Sequence, residues 1–556
     1  MTEDESELDG HVDGGRGRAS EFWADEAARR VAEAGRPPVV KGGVSPSGVP
    51  HIGNFNEIAR GYFVRRALER RAESGDTGYA VDDVRQVFTS DDRDPLRRVP
   101  SHVVDADGDV VELPEPRRSE LERHVGRPYV DVPAPFGTAD SWAEHFTGAL
   151  ARDADALGID VEMRSNDAMY SAGEFDEAIG LALERLDVSR DVISEHQASA
   201  SDDYVPYMAR CERCGRITAT VTSFDLDSWE ASYVCVDADL GGEHVEGCGH
   251  EGVCSLRDGK LPWRFEWPAQ WMALDVGFEP FGKDHAEGSW PSGVEIAERV
   301  YDVEPPEPLV YEFFLVEGAK MSASEGNVYT VDELLDVVEP EVLLYFFSLN
   351  PSKQRDFRPS EVDHLVNEFD RVEAVRRGDI EAADPEEALY AERVYPDVGH
   401  GAEPPRRPPY SFAAMVGVAE DDDARLDVLR RSGHLSDDAS ERDVEASLRR
   451  IELARTWSRW FENEYDVRVV EGPPEVEFDD STREAFADVA DVVESSGDPD
   501  EIQNAIFEAA REHDVDVGGF FADGYRLFLG SDSGPKLGPL LAALDEELVV
   551  ERLRTA

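Results

Sequence analysis

The chain has 556 residues, 56 of them basic and 121 acidic, for a net charge of −65 at pH 7. So acidic a balance usually accompanies disorder or an acidic tail, but 41% of the residues are hydrophobic and their periodicity persists between the acidic positions, which excludes that class. A folded protein with an acid-coated surface is indicated, suited to a very salty cytoplasm where a Debye length of about 3 Å near 1 M salt tolerates the self-repulsion.

The length accommodates three or four domains. No apolar run approaches the length of a membrane span and no leader pattern opens the chain, so a soluble, cytoplasmic protein without membrane contact is expected. Only six residues are lysine (Lys41, Lys260, Lys283, Lys320, Lys353 and Lys536). Two of them, Lys283 and Lys320, fall in candidate site motifs, where a compact point charge serves and the planar arginine fork would not replace it.

Residues 1–20 are acidic and aperiodic and are expected to be disordered. Phe22, Trp23, Ala27, Val31 and Ala32 recur at helical spacing between Glu21 and Ala34. A strand signal at Val39-Val40 then leads through two glycines into Ser45-Pro46-Ser47-Gly48-Val49-Pro50-His51-Ile52-Gly53-Asn54, and a helix-like run follows from His51 to about Arg71. A strand, a tight turn and a helix N-terminus leave backbone N–H groups free to hold phosphate. Val84 to Phe88 reads as a second buried strand. Strand, helix, strand in this order predicts an α/β fold with a doubly wound, Rossmann-type parallel sheet, whose ligands bind at the carboxyl ends of its strands.

Proline-rich loops over about 96–165, with a helix from Ser141 to Leu157 and a strand near Val161, read as a connective insertion. Residues 174–197 read as an amphipathic helix. The five cysteines, Cys211, Cys214, Cys235, Cys248 and Cys254, then crowd into one window. An odd, clustered count points to a metal site in a reducing compartment and not to a disulfide framework. Cys211 and Cys214, then Cys248 and His250, form two close pairs around a hairpin-like stretch from Ile217 to Val234, which fits tetrahedral zinc. Cys211, Cys214, Cys248 and His250 are the expected ligands, with Cys235 or Cys254 able to substitute for one of them. Four protein ligands leave no open position, so the site, within an insertion at about 205–258, is expected to be structural.

Trp263, Trp267 and Trp271 follow within nine residues. Core packing is the ordinary use of such a run, but this one re-enters the strand rhythm next to Phe281-Gly282-Lys283-Asp284-His285, which places at least one tryptophan in a pocket wall. Val310 to Val316 reads as the last strand and delivers Lys320-Met321-Ser322-Ala323-Ser324, a lysine beside two hydroxyls at a turn flanked by Gly318 and Gly326. Such a cationic clamp suits phosphoryl chemistry. From Val331 onward apolar residues recur only at helical spacing, broken by prolines at 404–409 and 473–474. The expected organisation is an α/β unit over 21–335, connecting helices over 336–365 and an all-helical region over 366–556.

The stretch ending His51-Ile52-Gly53-Asn54 resembles the HIGH motif, and Lys320 to Ser324 the KMSKS motif, of class I aminoacyl-tRNA synthetases. Phe22-Trp23-Ala24-Asp25, Ser90-Asp91-Asp92-Arg93-Asp94-Pro95-Leu96-Arg97, Gly247-Cys248-Gly249-His250-Glu251-Gly252, the tryptophan run and Pro280 to His285 occur with them in order. Together they make the chain similar to the class I lysyl-tRNA synthetases found mainly in archaea, with a halophile's charge. Asn54 stands where HIGH has its second histidine, and Ala323 where KMSKS has its second lysine, so the charge of the clamp falls on Lys320 alone.

The resemblance implies a lysine–tRNA ligase: L-lysine reacts with ATP to give lysyl-adenylate, pyrophosphate leaves with Mg2+, and the lysyl group passes to the terminal adenosine of tRNA(Lys). It implies catalytic roles for His51, Asn54, Lys320, Ser322 and Ser324. ATP contacts are implied at Pro46, Ser47, Gly48, His51, Gly53, Asn54, Gly282, Asp284, Lys320 and Met321. The implied lysine pocket consists of Gly43, Ser45, Trp263, His285 and Tyr311, with Trp263 preferred over Trp267 because it precedes the helix that Pro268 is expected to start. The helical region resembles the anticodon-binding cage of bacterial-type glutamyl-tRNA synthetases. Arg97-Arg98, Arg376-Arg377, Arg406-Arg407 and Arg449-Arg450 are the candidate tRNA contacts, on a monomer. A glutamyl or glutaminyl synthetase, a small-substrate nucleotidyltransferase and a non-catalytic tRNA-binding relative are the alternatives; the metal module, the tryptophan run and the intact phosphate-handling residues argue against them.

Overall fold

The computed structural model describes residues 21–556 apart from 76, 107, 198–202, 241, 322–327, 420, 471 and 473–476. Helix α1 (Trp23–Glu33) buries Ala24, Ala27, Ala28 and Val31, a stripe at i, i+3, i+4 and i+7. It packs on α2 (Ile52–Ser74), the helix that follows strand β1 (Val39–Val44). With β2 (Arg85–Ser90), β3 (Glu162–Ser165), β4 (Phe278–Gly282) and β5 (Glu307–Tyr311), β1 forms a five-stranded sheet in the order β5-β4-β1-β2-β3, parallel throughout. Alternate side chains feed two cores: Val40, Phe88 and Phe278 join one face, and Val39, Val87 and Phe281 the other. The chain winds outward from β1 to β3, then returns to the other side of β1 for β4 and β5. That reversal opens a crevice at the carboxyl ends of β1 and β4.

The insertion after β2 forms a hairpin, His102–Val104 with Val110–Glu112, and the helices Glu115–Glu122 and Trp142–Ala156, around its own core of Leu96, Val99, Leu113, Leu121, Tyr129 and Trp142. Residues 174–197 form two helices, Asp176–Glu184 and Leu186–His196.

Besides the divided helix at 174–197, three elements depart from the sequence reading. Helix α3 (Trp263–Leu274) starts directly after Pro262, with Pro268 inside it; Pro262 sets the helix entry, and Pro268 forgoes one intrahelical bond. All three tryptophans are therefore helical and, four residues apart, share one face. The expected last strand breaks after Tyr311: β5 ends there, and Phe314–Val316 joins a separate small sheet, antiparallel to Ala319–Lys320 and parallel to Arg355–Phe357. Arg355–Phe357 is thus a strand in a stretch read as helical, three residues being too short to show a period.

From Val331 the remaining elements are helical, among them Pro340–Ser348, Val362–Arg377 and Glu441–Trp460. Here two of the candidate tRNA-contact arginines turn inward. Arg450 is buried, with Nε 2.6 Å from Glu339 and NH1 2.7 Å from Asp370, and Arg407 lies between Glu373 and Glu339. Both are structural ions that join helices. Among the described residues no helix is long and apolar enough to cross a membrane.

Candidate active site

A cavity of about 570 Å³ occupies the crevice, and Gly43, Ser45, His51, Gly53, Asn54, Trp263, Gly282, Asp284, His285, Tyr311, Lys320 and Met321 line it. These residues come from stretches nearly 280 positions apart in sequence. Pro46, Ser47 and Gly48 form the turn between β1 and α2 and are not among the lining residues; the Pro46 carbonyl accepts the Trp142 indole N–H at 2.8 Å. Ser322 and Ser324 lie outside the described residues.

His51 caps α2: its Nδ1 accepts the Gly53 N–H at 3.0 Å, while its own N–H donates to Asn54 Oδ1 at 3.3 Å. Burial lowers the imidazole to about 4, so it is neutral at physiological pH, with Nε2 as the remaining ring nitrogen. The capped, 23-residue helix presents its positive end to the cavity. Any side chain at Gly53 would collide with the His51 ring at 2.8 Å and Met321 at 2.9 Å. At Gly43 a Cβ would lie 2.3 Å from Thr89 Oγ1, which keeps β1 and β2 in close register.

The floor holds a buried ion pair. Lys41 Nζ lies 2.8 Å from Glu279 Oε1, and the two side chains are 1% and 2% exposed. Trp267 donates its indole N–H to the same oxygen at 2.8 Å, and Trp271 donates to Glu279 Oε2. Trp267 is thereby committed to the floor, and Trp263, stacked on it at 5.3 Å and 14°, is the tryptophan that reaches the cavity. The His285 ring lies 6.1 Å from Trp263 and shares a hydrogen bond of 2.9 Å between Nδ1 and Ser289 Oγ. Burial lowers its pKa.

Sequence reading missed Glu57, Asp91, Asp94, Arg97 and Phe313 as lining residues. Glu57 Oε1 accepts the Gly43 N–H at 2.7 Å, and Oε2 accepts the Tyr311 hydroxyl at 3.1 Å. Burial pushes this carboxyl up to about 8, aided by the charge of Glu279 and opposed by the Gly43 N–H, Lys41 and Tyr311. The available signal was an acid among Ile52, Phe55 and Ile58 on a helix whose buried positions are mostly apolar.

Lys320 stands on a two-residue hairpin whose turn, Glu317-Gly318, has φ of 49° and 78°. Its Nζ lies 4.1 Å from the centre of the Phe313 ring. Lys283 instead turns outward to Glu312 at 2.8 Å.

In the cysteine-rich module, ligand atoms of Cys211, Cys214, Cys235 and Cys248 all lie within 4.8 Å of one another. Sulfur separations of 3.6 Å (Cys211 to Cys248) and 3.7 Å (Cys214 to Cys235) match the spacing of about 3.8 Å that tetrahedral Zn–S bonds of about 2.3 Å impose. Burial opposes the Cys211 thiolate, but the backbone N–H groups of Cys214 and Arg213 bring it down to about 7. The donor set fits a metal ion, and it groups Cys235 with the other three in place of the expected His250. Cys235 joins the group because the hairpin Ala238–Leu240 with Glu243–Val245 folds back and returns Cys248 to it. His250 Nε2 is instead 2.8 Å from Glu212 Oε1. Cys254 stands outside the group, its thiol pushed up to about 11 by burial.

Comparison with known proteins places these features in context. The profile of the tRNA synthetases class I (K) matches residues 21–396. The chain is 50% identical over 546 residues to the lysine–tRNA ligase of Natronomonas pharaonis, covering 97% of this chain and 98% of that one. It is 49% identical over 544 residues to that of Haloarcula marismortui, with 97% and 98% covered. To that of Pyrococcus horikoshii it is 33% identical over 563 residues, with 96% and 99% covered.

Proposed function

The chain belongs to the class I tRNA synthetases of the K family, and from that premise we propose that it is a lysine–tRNA ligase whose cavity joins L-lysine to ATP and passes the lysyl group to tRNA(Lys). The observation that carries the lysine assignment is Glu57 beside Tyr311. A half-buried carboxyl with no cation in hydrogen-bond contact among the described residues stands at the end of an aromatic wall, a setting for a lysine ammonium and its methylenes. A glutamate side chain would meet a carboxyl there, which disfavours the glutamyl alternative.

In the first step a carboxylate oxygen of lysine attacks the α-phosphorus of magnesium-bound ATP. The new O–P bond replaces the bond to the β-phosphate oxygen, and pyrophosphate leaves. The chain contributes position and charge. The α2 N-terminus, His51 Nε2 and Asn54 face the phosphates; Gly282 and Asp284 flank the nucleotide; Lys320 closes over the pyrophosphate as its charge develops, with Ser322 and Ser324 completing the clamp. Gly43, Ser45, Trp263, His285 and Tyr311 hold the amino acid. In the second step the terminal adenosine of tRNA attacks the lysyl carbonyl and AMP departs.

Cys211, Cys214, Cys235 and Cys248 would hold zinc as a structural ion, since four thiolates leave no open position. The α/β unit over 21–335 is read as catalytic, 336–365 as its connection and the helices over 366–556 as the anticodon-binding part. A monomer is the proposed state, and the acid-coated surface supports a salty cytoplasm as its setting. ATP–pyrophosphate exchange measured across the amino acids tests the assignment: exchange dependent on lysine is expected, and exchange driven by glutamate or glutamine would replace it.

A further inference from the structure

Lys260 lies in none of the motifs above, yet it is 1% exposed. It sits on the connector that leaves the cysteine-rich module and enters α3. Its Nζ is shared between two carboxylates: Asp94, on the loop after β2, and Glu266, 3.0 Å away in the first turn of α3. Glu266 is buried as well, and its other oxygen accepts the Tyr170 hydroxyl at 2.5 Å. Asn166 Nδ2 joins Glu266 Oε1, at 3.3 Å, to Asp91 Oδ1, at 2.9 Å. Asp91 and Asp94 both line the cavity. The connector is fixed by its main chain: Met208 and Lys260 exchange two N–H···O bonds of 2.8 Å, and Arg93 NH1 donates to the Gly259 carbonyl at 2.9 Å.

A buried ammonium between carboxylates on two different elements sets the distance between those elements. We propose that Lys260 is a positioning residue for amino-acid activation: it holds the Asp94 carboxylate at the cavity wall and, through Glu266, seats the helix that carries Trp263. Without its charge Asp94 and Glu266 would be like charges in a dry site, and one of the two elements would have to move. A guanidinium would not substitute, because its larger planar fork does not fit a space sealed around a compact ammonium without displacing one of the carboxylates. The inference rests on the cavity being the amino-acid site.

The test is ATP–pyrophosphate exchange with the full chain, its Lys260→Met and Asp94→Asn variants and the double variant. Lysine and ATP are varied separately, and circular dichroism establishes folding. Lys260→Met is expected to raise the KM for lysine roughly tenfold, the scale of one charge-assisted hydrogen bond, while the KM for ATP moves less than about twofold. Asp94→Asn is expected to do the same, and the double variant to be no worse than the worse single one. A lysine KM within about twofold of wild type in folded Lys260→Met, or effects that multiply in the double variant, overturns the proposal. Should Lys260→Met fail to fold, Lys260→Arg replaces it: a lysine KM raised about threefold or more supports the proposal, and an unchanged one overturns it. Were another amino acid to drive wild-type exchange, the lysine reading would fail while the same variants, measured with that amino acid, would still decide the role of Lys260.

Discussion

Lys41 and Lys320 serve the same cavity from opposite sides, and their surroundings differ as sharply as any two in the molecule. Lys41 is sealed beneath the floor, paired with Glu279, whose second oxygen is held by an indole N–H. Lys320 stands on the exposed strand of a short hairpin, above one aromatic ring. On the proposed reading the floor discriminates a charged side chain, with its own charges desolvated and satisfied before any substrate arrives. On the same reading the hairpin meets a negative charge that grows during the reaction and then lets it leave, which a rigid buried pair would hinder.

Lys41→Met would break this contrast most severely. It strands Glu279 in the core, and a loss of about 3–5 kcal/mol is expected in urea unfolding; a loss under about 1 kcal/mol would mean that the floor pair is replaceable. Lys320→Ala probes the other side. Exchange should slow by about 10²–10³ at saturating substrates with the unfolding midpoint unchanged, and retained full activity would sink the clamp.

Glu57→Gln sharpens the comparison at the floor's rim, with a lysine KM raised on the order of 10- to 100-fold and ATP affinity untouched. Its pH signature has a definite sign. The Glu57 carboxyl, pushed up to about 8 by burial, is protonated in the free protein below that pH, and an arriving ammonium favours the ionised form. Lysine binding should therefore release a proton and weaken as pH falls below about 8. Calorimetry in buffers of differing ionisation heat reads that proton, and the release should vanish in Glu57→Gln. The smallest effect is expected from His250→Ala, which should keep its metal while Cys235→Ser loses it, as metal analysis of the purified proteins would show.

Much of this was legible in the chain. The Val39-to-Asn54 stretch declared a strand, a turn and a helix start because glycine, proline and a capping residue act locally. The doubly wound parallel sheet followed from the order strand, helix, strand; its full strand order did not. What stayed hidden depended on contacts distant in sequence. Nothing near Glu57 announces Tyr311, and nothing near Cys235 announces that a hairpin will bring Cys248 back to it while His250 goes to Glu212. Arg407 and Arg450 read as surface cations until Glu339, Asp370 and Glu373 enclosed them. Pro268 misplaced the start of α3 because Pro262 had already set it.

The scarcity of lysine has a practical side. Of six lysines, Lys41 and Lys260 are sealed in the interior, which leaves Lys283, Lys320, Lys353 and Lys536 at the surface. To an amine-directed label this large protein is nearly blank. Beside the α-amine, Lys283, Lys353 and Lys536 would serve as built-in controls, and on the proposed reading Lys320 would report whether a nucleotide is bound.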